Sequence, residues 1–539
     1  MDRQPPPDLS APEIIADPYR AFACLRDHYP VHWDKHYNAW ILSRYQDVSA
    51  AQADARRFSS QRMRALVNAQ LPPKKRKALE PFIEKASRWM YSLDHEAHDR
   101  GRRVLGTAFT PQTIEALRAD IVKIVDELLA QLDPKPELME QLFNQIPARI
   151  LANMYGIPAE EALKLRQWTD AMIFFMVGSP DPNYGPEQAL RGMEDMYAYF
   201  SGLIDAHRQQ PRDDLVTRVI AAGDASGMDK EDYLAQLAFV LLAGNTTSAD
   251  QLGITLFYLL NHPDQLAALK ADPSLIKGAI EESLRICPAG QLSHRVLTED
   301  VKVGDQVLCK GELVYLLRAA ANRDPEHFAE PDRFDIRRTR QDHLAFGRGP
   351  HFCMGSKLFK LEAEILITRL LQRFAGITLD QKNLPVWRSN SLQFRGLARF
   401  PALLEAGDTF KRCFSAAPWE LKAGYCRALR VGEQITTSGT VAFGDDGKPY
   451  AVGDAYRQTL RCLSIIEDAL KQLGTDRTRI IATQMYTPNM TLWPQIAQAH
   501  GEFFKGCPPT TMLLGVNALI ATEYLVEIAA QAVAKESDS

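Results

Sequence analysis

Apolar residues recur at three- and four-residue spacing through most of the first 400 positions, the mark of helices with one buried face. The spacing predicts helices over 113–132 (TIEALRADIVKIVDELLAQL), 160–177 (EEALKLRQWTDAMIFFMV) and 233–261 (YLAQLAFVLLAGNTTSADQLGITLFYLLN). The third is long for a globular helix and carries Ala243-Gly244 and a Thr/Ser cluster near its middle. A glycine inside a helix costs about 1 kcal/mol relative to alanine, so that position needs a reason. Short β-type runs at 301–308 and 312–317 fall between helices, which predicts a mainly α (α+β) domain.

The pattern changes near residue 410. β-branched residues around a DDGK turn predict a hairpin over 434–453. A helix (456–474), a strand (480–486), a helix (493–504) and two strands (TTMLLGVNAL and EYLVEIAAQAV) follow. That ββαβαββ order predicts a small α+β domain. The expected organisation is a domain over 1–405, a linker at 406–411 and a second domain over 412–539, with no internal repeat.

Composition narrows the function classes. The 539 residues are 46% hydrophobic and 24% charged, an ordinary globular balance that excludes global disorder. A formal net charge of −4 lacks the basic excess of a general nucleic-acid binder. No apolar run reaches the roughly 18–20 residues that span a bilayer. The opening MDRQPPPDLS has no apolar h-region, and the eight cysteines are scattered without a C-x-x-C pair. Reduced thiols and a cytoplasmic location are the expectation.

The most informative string is His343-Leu-Ala-Phe346-Gly347-Arg-Gly349-Pro-His351-Phe-Cys353-Met-Gly355, followed by a helical pattern. A cysteine in a glycine-rich loop before a helix has its sulfur near backbone N–H groups and the positive end of the helix dipole, both of which stabilise thiolate. The glycines let the backbone approach a flat ligand closely. Read alone, a lone cysteine in a tight turn is a buried structural residue. Here further positions have matching roles.

The string resembles the haem-binding loop of the cytochrome P-450 family, and the resemblance covers about residues 12–402. It implies haem b (iron protoporphyrin IX), Cys353 as the metal ligand, and Phe346, Gly347 and Gly355 around it. Glu282-Ser-Leu-Arg285 resembles the family's E-x-x-R pair, whose spacing sets both side chains on one helix face. The segments 319–328 and 334–335 are similar to the stretch that locks onto that pair. His98 with Arg102, then Arg295 and His351, match the family's propionate-binding positions. Ala243-Gly244-Asn245-Thr246-Thr247-Ser248 resembles the dioxygen groove, where small residues open space and an acid–alcohol pair delivers protons. Thr247 matches the alcohol, but Thr246 stands where the acid belongs. Water, Thr246, Ser248 or the substrate then relays protons; the other reading is a variant oxidation or poor coupling.

No flavin, nicotinamide or iron–sulfur pattern is present, so electrons from NAD(P)H are expected through separate proteins, a ferredoxin and its reductase. The basic run Lys74-Lys75-Arg76-Lys77 reads mainly as a solvated loop, with attraction of an acidic substrate or carrier as the other reading.

Residues 412–539 resemble the RidA/YjgF family, small trimeric proteins of chorismate-mutase-like fold, many of which hydrolyse enamines or imines. The matching pieces are Pro418-Trp419-Glu420, Gly424-Tyr425, Thr437-Ser438-Gly439-Thr440, Gly453-Asp454, Gln458-Thr459, His500-Gly501-Glu502 and Val526-Glu527-Ile528. The resemblance implies a cleft with Tyr425, Ser438, Thr510 and Glu527, and a homotrimer. Thr510 occupies the position of the family's carboxylate-binding Arg, which argues against imine deamination and leaves a trimer scaffold, a ligand-binding module or altered nitrogen chemistry. No basic groove or stacking array supports RNA cleavage. Together these features predict a haem-thiolate monooxygenase acting on a small organic, nitrogen-containing substrate, in a biosynthetic setting. The alternative is a haem-binding sensor or scaffold with vestigial chemistry.

Overall fold

A computed structural model describes residues 5–70, 76–77, 79–176, 182–389, 391–406, 410–415, 417 and 419–534. Lys74 and Lys75 of the basic run and Pro418 of the C-terminal match lie outside the described residues. Two compact units divide the chain, Met1–Ala406 and Gly407–Ser539.

In the first unit, the helices that build the site are α1 (His95–Gly106), α2 (Gln145–Met154), α3 (Ala162–Met176), α4 (Pro186–Gln209), α5 (Lys230–Asn261), α6 (Ile276–Ile286) and α7 (Ser356–Arg373). The long helix α5 runs 32 residues without a break, opened by a capping box in which Asp229 and Asp232 exchange side-chain and backbone hydrogen bonds. It is buried on nearly every side (Leu237, Leu241, Leu252, Leu256), so burial rather than a single amphipathic face sustains it. Gly244 has a packing reason: a Cβ there would lie 3.2 Å from Leu151 Cδ1 of α2. The helix predicted over 113–132 is instead two, Pro111–Ala116 and Arg118–Ala130. Thr110 caps the first, and the Leu117 N–H bonds back three residues to Ile114 O, tightening the joint.

A five-stranded sheet flanks the helices, with strands β1 (Val31–Asp34), β2 (Ala39–Leu42), β3 (Phe58–Ser59), β4 (Leu292–Leu297) and β7 (Leu313–Leu317) in the order β1-β2-β7-β4-β3. Between β4 and β7 lies the hairpin β5 (Val301–Val303) with β6 (Gln306–Leu308), as the β-type runs predict. Two small sheets complete the unit: β8 (Phe374–Leu379) with β11 (Ala402–Ala406), and β9 (Val386–Trp387) with β10 (Leu397–Arg399).

The second unit is a seven-stranded sheet. Its strands are β12 (Phe410–Cys413), β13 (Ala428–Val431), β14 (Gln434–Thr437), β15 (Thr440–Val441), β16 (Ile480–Thr487), β17 (Thr510–Gly515) and β18 (Glu527–Val533). The order is β12-β13-β14-β18-β16-β17, with β15 also on β18. Helices α8 (Ala455–Gln472) and α9 (Trp493–Phe503) supply apolar residues such as Leu463, Ile466 and Ile496, which pack with Ile435, Met485 and Ile528 of the sheet. Two expectations are corrected here. The hairpin is β13–β14, turning at Gly432-Glu433 with Gly432 at φ 60°, whereas the DDGK segment makes a turn flanked only by the isolated Phe443–Pro449 bridge. Of the expected linker, Ala406 ends β11 and residues 410–411 begin β12, while 407–409 lie outside the described residues.

Candidate active site

The loop before α7 is tied by its own backbone. Cys353 N donates to Phe346 O (2.9 Å), Gly347 N to Leu344 O (2.9 Å) and Phe352 N to Gly349 O (3.0 Å). Gly347 and Gly349 have φ of 74° and 73°, and a Cβ on Gly349 would lie 2.9 Å from Gln52 O and Ala53 Cα, so glycine is required there. The Cys353 thiol lies deep in the protein yet is exposed to an internal cavity. Burial pushes the thiol up, while backbone N–H groups of Gly355 and Ser356 at the start of α7, then Arg318 and Arg102, pull it down. A cation or metal ion in the cavity would complete that balance in favour of thiolate.

Glu282 and Arg285 form a fully buried two-bond ion pair on α6, at 2.8 Å for both contacts. Arg285 also donates to Asn322 O (2.9 Å), Pro331 O (2.7 Å) and Arg333 O (3.1 Å), and Glu282 accepts from Asp335 N (3.0 Å) and Arg338 Nε (3.1 Å). One pair thus pins the 319–338 segment, whose Asn322 in turn accepts from Leu344 N at the head of the cysteine loop (2.7 Å).

A cluster of cationic side chains lies around one edge of the cavity. Arg295 of β4 is buried, and burial with the like charges of Arg62 and Arg318 lowers its pKa to about 9. His351 lines the cavity beside His98 (ring centroids 4.1 Å apart), and burial followed by Arg295, His98, Arg62 and Arg102 lowers it to about 2. His98 of α1 is buried with Nε2 unpartnered, and Arg62 has an unpartnered Nε. Arg102 donates to Phe352 O (2.9 Å). Two nearby carboxylates are already engaged: Asp94, 3.9 Å from His351, accepts from Ser60 N (2.9 Å), and Asp99, 61% exposed, is 3.1 Å from His98 Nδ1. Such crowding of like charge is stabilised by a dianion. The carboxylates of a flat macrocycle resting on the glycine-lined loop meet that requirement, so the residues fit haem.

The cavity measures about 360 Å³. Its walls include Ala243, Gly244, Thr247 and Ser248 of α5, the stacked rings of Tyr91 and Phe239 (5.2 Å), and Phe394. Arg62, Met90, Tyr91, Ile173, Met176, Leu292 and Ser293 also line it, whereas Gln291 turns to Tyr19 Oη (3.2 Å). Thr247 Oγ1 donates to Ala243 O (2.6 Å), which fixes the hydroxyl in the cavity wall. The placement of Thr246 beside the oxygen groove is corrected: it is buried on another sector of α5, off the cavity wall, and donates to Asp170 Oδ1 of α3 (2.7 Å).

Sequence patterns do not single out Arg62, Arg318 or Glu362, which belong to no local motif. Glu362 on α7 lines the cavity with Oε2 unpartnered, and burial raises its pKa to about 8. A carboxyl raised in the folded state stabilises the fold below its unfolded pKa and loses that stability as pH rises toward 8. Glu362→Gln should therefore leave the melting temperature unchanged near pH 5 and raise it by several degrees near pH 8. Equal shifts at both pH values would contradict a neutral buried carboxyl.

In the second unit, Tyr425 and Ser438 line a cleft with Arg412, Phe414 and Thr436. Arg427, another residue without a motif, forms a buried pair with Glu420 (2.9 Å) and donates to Gly439 O (2.9 Å). Glu527 is half-buried against Gly439, where a Cβ would collide with its carboxylate. Within one chain the expected four-residue cleft is not assembled. Register places Thr510 and Gln531 opposite Ala482, but Glu527 opposite Tyr486, so Thr510 and Glu527 are offset by four residues along β16. Thr510 is exposed and its hydroxyl donates to Ile481 O (2.9 Å).

The family model described as Cytochrome P450 matches residues 16–392, and the one described as Endoribonuclease L-PSP matches 415–534. The chain is 35% identical over 403 residues to cytochrome P450 monooxygenase PikC of Streptomyces venezuelae, covering 72% of this chain and 91% of that protein. It is 30% identical over 389 residues to nocardicin C N-oxygenase of Nocardia uniformis subsp. tsuyamanensis, covering 70% and 94%. Among solved structures, P450BioI in complex with a hexadec-9Z-enoic acid ligated acyl carrier protein aligns with TM-score 0.67 and 30% identity, covering 73% of this chain and 99% of that one.

Proposed function

The chain belongs to the cytochrome P450 family, and from that premise we propose that it inserts one atom of dioxygen into a small, nitrogen-containing organic substrate. In this family haem b supplies dioxygen activation, with electrons from NAD(P)H arriving through ferredoxin and its reductase. The observation that carries the reading is that Cys353, at the start of α7, and the Thr247 hydroxyl of α5 share one cavity.

Each residue then has a physical task. Cys353 would hold the iron, favoured as thiolate by the amides of Gly355 and Ser356. His98, Arg102, Arg295 and His351 would neutralise the propionates, with Arg62 beside them. Phe346, Gly347 and Gly355 shape the floor. Tyr91, Phe239 and Phe394 exclude water and orient an apolar portion of the substrate. Thr247, its proton directed at Ala243 O, holds a proton at Oγ1 that it can turn toward the cavity. Thr247→Ala should divert most reducing equivalents to peroxide, and Thr246→Ala fewer, measured as product and peroxide per NAD(P)H. A reversed ranking would contradict the assignment of the alcohol.

Support for a nitrogen-containing substrate comes from similarity to the nocardicin C N-oxygenase and from fusion to a RidA-like unit. That unit is proposed as a trimer scaffold. Ile481, Met512, Leu514, Met490 and Trp493 are about half-exposed on and beside β16 and β17, and β17 is an edge strand. A closed three-fold assembly buries such a face on every copy. Thr510 offers no guanidinium, so the unit is not proposed as an imine deaminase. Light scattering of the full chain should give a trimer; a monomer would contradict the scaffold. No helix among the described residues is long and apolar enough to cross a membrane, and a cytoplasmic setting is proposed.

A further inference from the structure

Thr246 occupies the position where the family motif carries an acid, yet its hydroxyl is not idle. It donates to Asp170 Oδ1 at 2.7 Å, across the α3–α5 contact. Asp170 Oδ2 is 3.3 Å from Arg166 Nε on the same helix, and Arg166 keeps an unpartnered Nη1. One turn beyond Thr246, Asp250 pairs with Arg388 and keeps an unpartnered Oδ1. Two carboxylates and two guanidinium groups therefore gather on the sector of α5 that bears Thr246. The two acids differ in access: the Asp250 side chain is wholly buried, whereas that of Asp170 keeps 18% exposure. Of the pair, Asp170 alone has accessible side-chain surface and also touches a hydroxyl of the oxygen-side motif.

We propose that Asp170 supplies from α3 the carboxyl that the α5 motif lacks, acting through Thr246 as a positioning residue for proton delivery; this rests on the monooxygenase reading above. Thr246 and Thr247 are consecutive on α5 but face α3 and the cavity wall respectively, so the proposed route between their hydroxyls runs around the helix through water. In each transfer the Asp170 carboxylate takes a proton from bulk solvent and gives it to Thr246 Oγ1, which releases its own hydroxyl proton through water to Thr247. Asp170 is then again the carboxylate that accepts from Thr246. No electrons move in these hops, and every group returns to its starting protonation. The alternative role, a staple between α3 and α5, uses the same contacts but needs no mobile proton. Asp170→Asn separates the two, because its amide oxygen can still accept from Thr246 while it cannot carry a proton.

Asp170→Asn in the full-length holoenzyme should raise peroxide formed per NAD(P)H several-fold and enlarge the solvent deuterium isotope effect on product formation. Haem content and the substrate-induced spin shift should stay at parent values although loss of the Arg166 ion pair lowers the melting temperature, and Asp170→Glu should restore coupling. Thr246→Val should reproduce the Asp170→Asn defect, and the double variant should be no worse than either, since both lie on one path. Should Asp170→Asn fail to fold, Thr246→Val carries the same test. In the resting protein, without substrate or reductant, Thr246→Val should shift the infrared carboxylate stretch that Asp170→Asn removes. Unchanged coupling in Asp170→Asn or Thr246→Val, or a loss that merely follows haem content, would overturn the proposal. If Thr247→Ala uncouples while these variants do not, Asp170 is excluded and the monooxygenase reading stands; if Thr247→Ala also fails to uncouple, that reading is itself at fault.

Discussion

Replacing Cys353 with Ala should abolish the red-shifted Soret band of the reduced carbon-monoxide complex and reduce turnover by more than about 100-fold, beyond the range of supporting-residue changes at metal sites. The expectation follows from the local geometry. Cys353 is the cysteine that the 343–355 loop delivers to the cavity, its sulfur faces the amides of Gly355 and Ser356, and no other cysteine lines that cavity among the described residues. Phe346 and Phe352 stay in contact (ring centroids 6.4 Å), and the loop hydrogen bonds use backbone atoms, so the substitution should leave the fold intact. The melting temperature of the apoprotein should therefore change little. A retained red-shifted band in the variant would show that another residue ligates the iron.

The second large effect is structural. Arg285→Ala should lower stability by about 3–5 kcal/mol, the usual consequence of stranding one member of a buried ion pair. Glu282 would remain 3% exposed with one of its two guanidinium partners gone, and the carbonyls of Asn322 and Pro331 would each lose a donor. Against a typical total of about 5–15 kcal/mol, that loss should leave a protein with little bound haem and a much lower melting temperature. The Asn322–Leu344 hydrogen bond couples the damage to the cysteine loop, so haem content should fall with stability. A variant with parental haem content and melting temperature would show that the pair is dispensable.

How much of this was legible in the sequence depended on how local the determinants were. The cysteine loop and the Glu282–Arg285 pair are readable because their residues lie within one loop or one helix turn. Helix α5 is readable from its unbroken apolar pattern, and strands β16 to β18 from their β-branched and apolar runs. The β13–β14 hairpin was not, because its turn rests on Gly432 rather than on the more conspicuous DDGK segment. Arg62, Arg427 and Glu362 carry no spacing signal, since the partners that give them meaning come from distant segments. Thr246 shows the limit most clearly. Its departure from the motif is visible in the sequence, but its hydrogen-bond partner Asp170 is 76 positions away and becomes visible only when α3 packs on α5.

The central claim is that this chain is a working oxygenase rather than a haem-bearing sensor or scaffold. Full-length protein supplied with NADPH, a surrogate ferredoxin and its reductase should be assayed under isotopically labelled dioxygen with a substrate that shifts the haem spin state. The account predicts one labelled oxygen atom in each product molecule, with NADPH consumed in proportion to product and the yield lost in Thr247→Ala. Haem that binds such ligands and accepts electrons, yet yields only peroxide and water with no labelled product, would contradict it.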